Sequence, residues 1–428
     1  MVNGNKKTWL ISSFLKKGVL RHFFDKYRSI QVSPLKVDIF FAEHKGAVWA
    51  GLFLGMNVFI SFISTLIGGY LSDLFRRKTI LVITSACSSL MFAFMTFSLI
   101  PDQKWIKIFA FAYMVFMVSS SLGRPAMQAI IIDSTTSENR KAIYSLDYWL
   151  NNLSMAIGTA LGGLFYLHHQ LTLFFVLTMV SVGLPIVYGI WLQDSYVKHL
   201  KKKHQNILID LVANYKLAFQ DKPFVMAVIG GMCIYAAEFS LNSYIGVRLS
   251  KEFHSVFIGH FEIAGVRMLS ILNIQNMLLV VLLTFMITKF TDRFDKKKVL
   301  LSGLLLYGVG YITITSANIW YVLIIFNLIA TIGELMYSPI ANAEKANMMP
   351  EDKRGSYSAF SGLSFSGADL LARSTILLGA YLVPTMMSVY IGIILMIGTF
   401  MLYSGLFIYQ TANQKEKIKQ LTQSQWNK

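Results

Sequence analysis

Gly69-Tyr70-Leu71-Ser72-Asp73-Leu74-Phe75-Arg76-Arg77-Lys78 and Thr288-Lys289-Phe290-Thr291-Asp292-Arg293-Phe294-Asp295-Lys296-Lys297-Lys298 are two copies of one short loop, with Asp73 and Asp292 219 residues apart. Each copy follows a long apolar run and precedes another. An acidic-then-basic loop that recurs between apolar runs, at a period of half the chain, predicts two homologous halves. Halves of that kind, rocking about a central site, are the build of a secondary transporter.

Composition agrees with a membrane protein. The chain is 55% hydrophobic with a mean hydropathy of +0.54, too apolar for a water-soluble globule of 428 residues. The formal charge of +17 comes from lysines and arginines that cluster beside apolar runs. That placement fits the positive-inside rule and argues against nucleic acid as a partner. Cys87 and Cys233 fall in apolar runs of opposite halves, which indicates neither a disulfide nor a metal site. Lysines 6, 7, 16 and 17 interrupt the start of the chain too often for a cleavable signal peptide.

A membrane-spanning helix needs ~20 largely apolar residues. Eleven runs qualify, at about 47–71, 79–100, 105–131, 143–167, 171–192, 223–247, 265–289, 298–316, 318–341, 358–383 and 386–410. Their connections alternate between basic ones (Arg76–Lys78, Arg140–Lys141, Lys198 with Lys201–Lys203, Lys296–Lys298, Lys353–Arg354, Lys415–Lys419) and ones poorer in basic charge. The basic set is expected in the cytoplasm, with both chain ends on that side of a cell membrane.

The expected organisation is an N-terminal helical half (1–193), a linker (194–222), a C-terminal half (223–411) and a cytoplasmic tail (412–428). In the linker, Ile207, Leu208, Leu211, Val212, Tyr215 and Phe219 share one helical face, as in a helix lying at the membrane surface or a plain connector. Twofold repetition asks for a twelfth span before residue 47. Residues 8–24 are amphipathic instead, and 37–42 resemble the end of a span without its beginning. Three readings stay open: a polar, broken first helix that crosses packed against its neighbours, an interfacial segment, or a sequence altered from a functional ancestor.

The two loops carry a specific likeness. Gly69, Asp73, Arg77 and Lys78 match the Gly-x-x-x-Asp-x-x-x-Arg-Lys loop of the major facilitator superfamily, with Arg76 where that family usually has glycine. The second copy keeps Asp292, Arg293, Lys296 and Lys297, with Thr288 replacing the leading glycine. The resemblance covers about residues 40–410. Gly158-Thr159-Ala160-Leu161-Gly162-Gly163 resembles the Gly-Pro-x-x-Gly-Gly signature of the drug:proton antiporter branch, with threonine for proline. Close helix packing accounts for these small residues equally well. The stretch from Arg124 through Asp133, Glu138 and Arg140 to Asp147-Tyr148-Trp149, and Gly333-Glu334-Leu335-Met336-Tyr337-Ser338-Pro339, are similar to the group of the lactococcal multidrug transporter LmrP. That resemblance implies roles in proton coupling and cationic drug binding for carboxylates at positions like Asp147 and Glu334.

Charges inside apolar runs point to function without any family. Glu334 lies ~24 Å from the outer edge of its run at 1.5 Å per residue, and Glu238 ~22 Å from the inner edge of its own. Burial disfavours the charged form of a carboxyl. Such a group can hold a proton while the site is empty and release it when a cation arrives. A permanent pairing is the alternative for Glu334, and hydrogen bonds to Tyr235, Asn242 and Tyr244 for Glu238. Asp147, among Tyr148, Trp149, Asn151 and Asn152, suits an organic cation through charge and cation–π contact, or pairs with Arg124. Arg124 is a counter-ion for Asp133 or Asp147, or reaches the interface. Asp369 and Arg373, spaced i,i+4, read first as a self-neutralising pair and second as part of a proton-coupling relay. Asp73 with Arg77 and Lys78, and Asp133 with Arg140, are expected to form a conformational latch together with Asp292 and Arg293. Asn273, Gln275 and Asn276 are candidates to face a cavity.

No Gly-x-x-x-x-Gly-Lys-Ser/Thr loop, His-Glu-x-x-His motif or Gly-x-Ser-x-Gly elbow occurs, so no ATP-driven engine and no enzyme is expected. The expectation is an all-α integral membrane protein of two six-helix halves, with eleven clear spans and a degenerate first helix. It would act as a monomer in the lipid bilayer, without cofactor, exporting small amphipathic or cationic molecules against protons. Another cargo (lipid, sugar or peptide) and a non-transporting protein with a damaged first helix remain the rivals.

Overall fold

The structure, a computed structural model, describes residues 47–101, 105–136, 138–165, 169–192, 215–258 and 261–408. The sequence-predicted first helix before residue 47, most of the linker helix and the tail after residue 411 lie outside the described residues. The described chain is almost wholly helical. In order, it forms α1 (Ala47–Leu74), α2 (Arg77–Ser98), α3 (Ile106–Asp133), α4 (Arg140–Phe165), α5 (Gln170–Trp191), α6 (Lys222–Phe239), α7 (Tyr244–Glu252), α8 (Gly265–Thr291), α9 (Lys296–Ser316), α10 (Trp320–Asn347), α11 (Arg354–Gly379) and α12 (Pro384–Tyr403).

Each of the eleven apolar runs forms helix over its described residues. Among the described residues, nine helical segments are long and apolar enough to cross a membrane. The two that fall short are α4 and α11, which carry Lys141 and Asp147, and Asp369 and Arg373.

Two features depart from the run pattern. The run at 223–247 is not one helix. It passes through a 3-10 turn (Ser240–Asn242) into α7. Ser240 Oγ donates to Ala237 O and Ser243 Oγ to Phe239 O at 3.0 Å, and such back-bonding competes with the helical ladder. The loop after α7 holds a small antiparallel hairpin, β1 (Val256–Ile258) and β2 (Phe261–Ile263), with Phe257 opposite Glu262.

Caps set the starts of two helices. Asp295 accepts from the backbone N–H groups of Lys297 at 3.0 Å and Lys298 at 3.3 Å at the start of α9. Asp221 accepts from Phe224 N at 3.3 Å, with Pro223 in the first turn of α6.

The described residues group into two compact units. The first holds α1, α2, α3, α5, α4 from Asp147 onward, and residues 350–359. Its core joins α2, α3 and α5 through Phe92, Met95, Phe109, Tyr113, Phe116, Phe174 and Leu177. Edge-on ring pairs Phe92–Phe116 at 4.9 Å and Phe109–Phe174 at 5.5 Å fix its register. Polar side chains also tie α2 to α5: Ser89 Oγ donates to Ser181 O at 2.6 Å, and the Thr96 and Thr178 hydroxyls meet at 2.8 Å.

The second unit holds residues 138–146, α6 to α10, α11 from Phe360 onward, and α12. Its core includes Met268, Leu272, Leu300, Tyr307, Tyr311, Leu323, Ile391 and Leu395. Helices α9 and α10 touch backbone to backbone. A Cβ on Gly303 would lie 2.9 Å from Gly333 O, and one on Gly333 would lie 2.5 Å from Gly303 O. Only glycine permits that approach, and it places Glu334 beside α9.

Candidate functional site

In the second unit, Glu334 sits in the middle of α10 with 4% of its surface exposed. Its carboxylate Oε2 accepts from Asn276 Nδ2 at 3.2 Å, and the same Asn276 amide donates to Thr331 Oγ1 at 3.1 Å. Thr331 and Asn327 lie on the turns before Glu334, and Asn327 Nδ2 donates to Gln275 Oε1 at 3.0 Å and Leu272 O at 3.0 Å. The sequence-predicted polar residues of α8 therefore divide their work. Gln275 and Asn276 turn toward α10, whereas Asn273 pairs with Asn242 at 3.0 Å. Pro339, inside α10, removes the backbone donor that would meet Leu335 O one turn past Glu334.

Glu238 of α6 is half-buried and near enough to Glu334 for the charges of the two carboxyls to act on each other. Among the described residues, its carboxyl has no hydrogen-bond partner. Tyr235, Asn242 and Tyr244, its expected partners, do not bond it. Asn242 is taken by Asn273, and Tyr244 packs in the apolar core. The pair stands in a shell of aromatic side chains. Tyr307 Oη donates to Ile234 O at 3.1 Å, anchoring α9 to α6, and the Tyr307 ring meets Tyr311 at 4.7 Å and Tyr337 at 5.2 Å. Tyr235, one turn before Glu238, stacks on Phe365 of α11 with ring centroids 4.5 Å apart, and Phe239 adds a third ring at 6.3 Å. Phe365 is 52% exposed, so the stack presents an open aromatic face.

The aspartates of the repeated loop occupy a different place. In the first unit Asp73 is 8% exposed. Its Oδ1 accepts from Gly355 N at 2.7 Å, and its Oδ2 accepts from Ser356 N at 2.8 Å and Ser356 Oγ at 2.5 Å. A carboxylate is thereby seated on the free N–H groups that open α11, where the helix dipole favours negative charge. Gly355 allows the approach, since a Cβ there would lie 2.5 Å from Gly69 O and 2.6 Å from Asp73 Oδ1. Beside it, Asp133 is held between the guanidinium groups of Arg77 and Arg354.

This corrects the sequence expectation for the latch. Asp133 is bound by Arg77 and Arg354, not by Arg140, because the end of α3 meets the starts of α2 and α11. Arg140 Nη1 donates to Asn347 Oδ1 in the second unit. Lys78 is half-buried and makes no ion pair among the described residues. Arg124 is exposed on α3 and is not the partner of Asp133.

The second copy of the loop is built alike but looser. Lys141, in the first turn of α4, donates from Nζ to Asp292 Oδ1 at 2.9 Å and to Thr291 Oγ1 at 3.2 Å. The Asp292 side chain is 54% exposed. Thr288 Oγ1 donates to Ser145 Oγ at 3.1 Å, and Lys296 pairs with Glu344 at 2.6 Å. Arg293 is exposed and makes no ion pair among the described residues. Asn347 stands at the end of α10 as Asp133 stands at the end of α3, so the second copy lacks the carboxylate that binds two arginines in the first.

The remaining sequence-predicted residues lie on α4 and α11. Asp369 and Arg373 form their i,i+4 pair at 2.8 Å on a part of α11 where the arginine side chain is 67% exposed. Asp147 is half-buried in α4, one turn before Asn151. Gly158 is buried in α4, and Gly162 and Gly163 follow on the same helix.

Several working residues were not singled out from the sequence, among them Gly355, Ser356, Asn347 and the buried Arg248. A signal existed for the first group. Glu138-Asn-Arg-Lys141-Ala-Ile-Tyr144-Ser145 echoes Glu351-Asp-Lys-Arg354-Gly-Ser-Tyr357-Ser358, the starts of corresponding helices in the two halves.

A bundle of apolar helices with a repeated loop and buried carboxylates defines a membrane transporter, not an enzyme. The family model described as Major Facilitator Superfamily matches residues 38–274 and 228–426, and the chain belongs to that family. It is 25% identical over 383 residues to a "Na(+), Li(+), K(+)/H(+) antiporter" of Planococcus maritimus, covering 86% of this chain and 89% of that protein. It is 23% identical over 350 residues to "Multidrug resistance protein MdtH" of Proteus mirabilis, covering 79% of this chain and 80% of the relative. Its fold resembles the crystal structure of the Major Facilitator Superfamily transporter FucP in the outward conformation, with a TM-score of 0.71 and 13% identity over 90% of this chain and 97% of that one.

Proposed function

We propose that the protein is a proton-coupled antiporter that exports amphipathic, cationic molecules, with Glu334 and Glu238 as the groups that exchange proton for cargo. The observation that carries this reading is the Glu334–Glu238 pair. Two carboxyls close enough to feel each other's charge cannot both ionise cheaply, so the pair calls for a proton or a cation. Asn276 holds Glu334 in place, whereas Glu238, among the described residues, has no hydrogen bond to give up when a cation arrives. The exposed Tyr235–Phe365 stack beside the pair offers an apolar, π-rich surface for an organic cation. The relative named as a multidrug resistance protein supports the same cargo class. On this reading the basic-loop end faces the cytoplasm of a cell membrane, and the contacts of Asp73 and Asp292 act as the latch that biases alternating access.

A second reading has one observation in its favour. The relative named for exchange of sodium, lithium and potassium for protons suggests an alkali cation as cargo, bound by the same carboxyl, amide and phenol oxygens.

One experiment separates them. Purified protein in proteoliposomes is given an imposed proton gradient, and the flux of ethidium is compared with that of sodium and potassium for the wild type and Glu334→Gln. Gradient-driven ethidium flux that the substitution abolishes is the expected result. Alkali cation flux without ethidium flux transfers the assignment to the second reading. Undiminished coupling in Glu334→Gln removes Glu334 from the mechanism.

A further inference from the structure

The basic-loop end of α10 contains a charge that the exchange mechanism does not use. Lys345 lies in the last turn of that helix with 7% of its surface exposed. Among the described residues, its ammonium has no ion-pair or hydrogen-bond partner. The last-turn position gives it some support from the helix dipole, but that support offsets only part of the cost of taking an ammonium out of water. Ala341 and Ala346, its neighbours along α10, are buried as well. A protein seldom keeps an unpaired buried lysine unless something outside the chain completes it.

Its position relative to Glu334 says what that is. Eleven residues separate the two, about three helical turns, so they share one face of α10 about 16 Å apart along the axis. Helical side chains lean toward the helix N-terminus, which tilts the long Lys345 side chain toward Glu334 and leaves a gap of roughly 10–12 Å. The face between them is polar, not charged. Ser338 is 3% exposed, and Asn342 Nδ2 donates to Ser338 Oγ at 3.4 Å. The strip therefore has an acid at one end, hydrogen-bonding groups along it and a base at the other.

We propose that Lys345 is the anion-binding half of the cargo site, so that the preferred cargo is amphoteric: an aromatic molecule with a cationic amine for Glu334 and a carboxylate for Lys345. This rests on the export reading for the Glu334 end. A cargo with only a positive charge gains nothing from Lys345. A zwitterion of two or three fused or linked rings neutralises both buried charges at once and covers the Tyr235–Phe365 face.

The test is binding of two probes to the purified full-length chain in nanodiscs: ciprofloxacin, a zwitterion at neutral pH, and ethidium, a cation only. Lys345→Met is expected to weaken ciprofloxacin binding at least about tenfold, Lys345→Arg to restore most of it, and neither to change ethidium binding more than about twofold. Glu334→Gln is expected to weaken both probes. The thermal midpoint of Lys345→Met should not fall, because an apolar side chain of similar size replaces an unpaired buried charge. Ciprofloxacin binding that is absent in the wild type, or unchanged in Lys345→Met, overturns the proposal. So does an equal loss of both probes with a lowered midpoint, which assigns Lys345 a purely structural role. Lys345-dependent ciprofloxacin binding without proton-driven flux of either probe leaves this site standing and removes the export reading. Proton-driven ethidium flux with Lys345-independent ciprofloxacin binding does the reverse.

Discussion

Ser356 meets Asp73 twice, through its backbone N–H at 2.8 Å and through its hydroxyl at 2.5 Å. The carboxylate is almost wholly buried, and its third contact, Gly355 N at 2.7 Å, completes its seat on the first turn of α11. A hydrogen bond to a charged group contributes ~1.5–3 kcal/mol, and leaving buried donors unmet costs more. Asp73→Ala is therefore expected to lower the thermal midpoint by several degrees. Asp292→Ala, at a site more than half exposed, should change stability by less than ~1 kcal/mol. Melting curves of the two variants side by side check this. Equal losses would mean that the two copies of the loop hold equally.

Gly355 makes the same contact testable without touching a charge. A methyl group there would sit 2.6 Å from Asp73 Oδ1 and 2.5 Å from Gly69 O, and both neighbours belong to helix α1, which has little freedom to retreat. Gly355→Ala is expected to cost about as much stability as Asp73→Ala, and the double variant little more than either, because both remove one contact. Additive losses in the double-mutant cycle would separate Gly355 from Asp73.

Asp133 between Arg77 and Arg354 should show the behaviour of a buried ion triad. Arg77 is 1% exposed, so Asp133→Asn takes from a buried guanidinium the carboxylate it pairs with, at a cost of up to ~3–5 kcal/mol. Replacing Arg77 and Asp133 together by Met and Leu should recover much of that loss. Thermal midpoints of the single and double variants decide it, and a double variant less stable than Asp133→Asn would contradict the triad account.

How far these contacts were legible in the sequence follows from their range. The helices came from eleven apolar runs, and the run at 318–341 became Trp320–Asn347 because a helix continues past its apolar stretch while polar residues still find partners, as Glu344 does with Lys296. Recurrence of Asp73 and Asp292 marked them as special, but Ser356 is 283 residues from Asp73, and nothing local in either segment names the other. The pairing of Asp133 with Arg140 was the nearest opposite charge in sequence, and tertiary packing gave Asp133 to Arg77 and Arg354 instead. Arg248 carries no local signal, since its partners Ile314, Ala317 and Asn318 are 66 to 70 residues away. The hairpin at Val256–Ile263 was missed because its strands are three residues each, too short for an alternation signal.

Arg248 closes the opposite end of the second unit. It is 3% exposed, its Nη2 donates to Ile314 O at 3.1 Å and Ala317 O at 2.7 Å, and its Nη1 donates to Asn318. One guanidinium thus satisfies carbonyls left open at the end of α9, and its planar fork is what lets it reach both. Arg248→Lys keeps the charge but not the fork. It is expected to lose ~2 kcal/mol or more of stability, with Arg248→Ala losing at least as much. Retention of the wild-type midpoint by Arg248→Lys would show that charge alone suffices there.

The Glu334–Glu238 pair sets stability against transport. Because each carboxyl feels the other's charge, removing one charge relieves the one that remains. Glu238 has no hydrogen bond to lose among the described residues, so Glu238→Gln should leave the thermal midpoint unchanged or raised. The gain should grow as the pH rises, since repulsion requires both groups ionised, and should vanish in acid, where both are protonated in either protein. Glu334→Gln differs, because Asn276 Nδ2 then faces a neutral amide oxygen in place of a carboxylate and a charge-assisted bond becomes an ordinary one. Its gain from relieved repulsion is offset by that loss, and its midpoint should lie below that of Glu238→Gln at alkaline pH. Both variants should lose gradient-driven flux. A midpoint of Glu238→Gln that falls as the pH is raised, relative to the wild type, would show that the two carboxyls do not repel and that Glu238 supports the fold through a contact of its own.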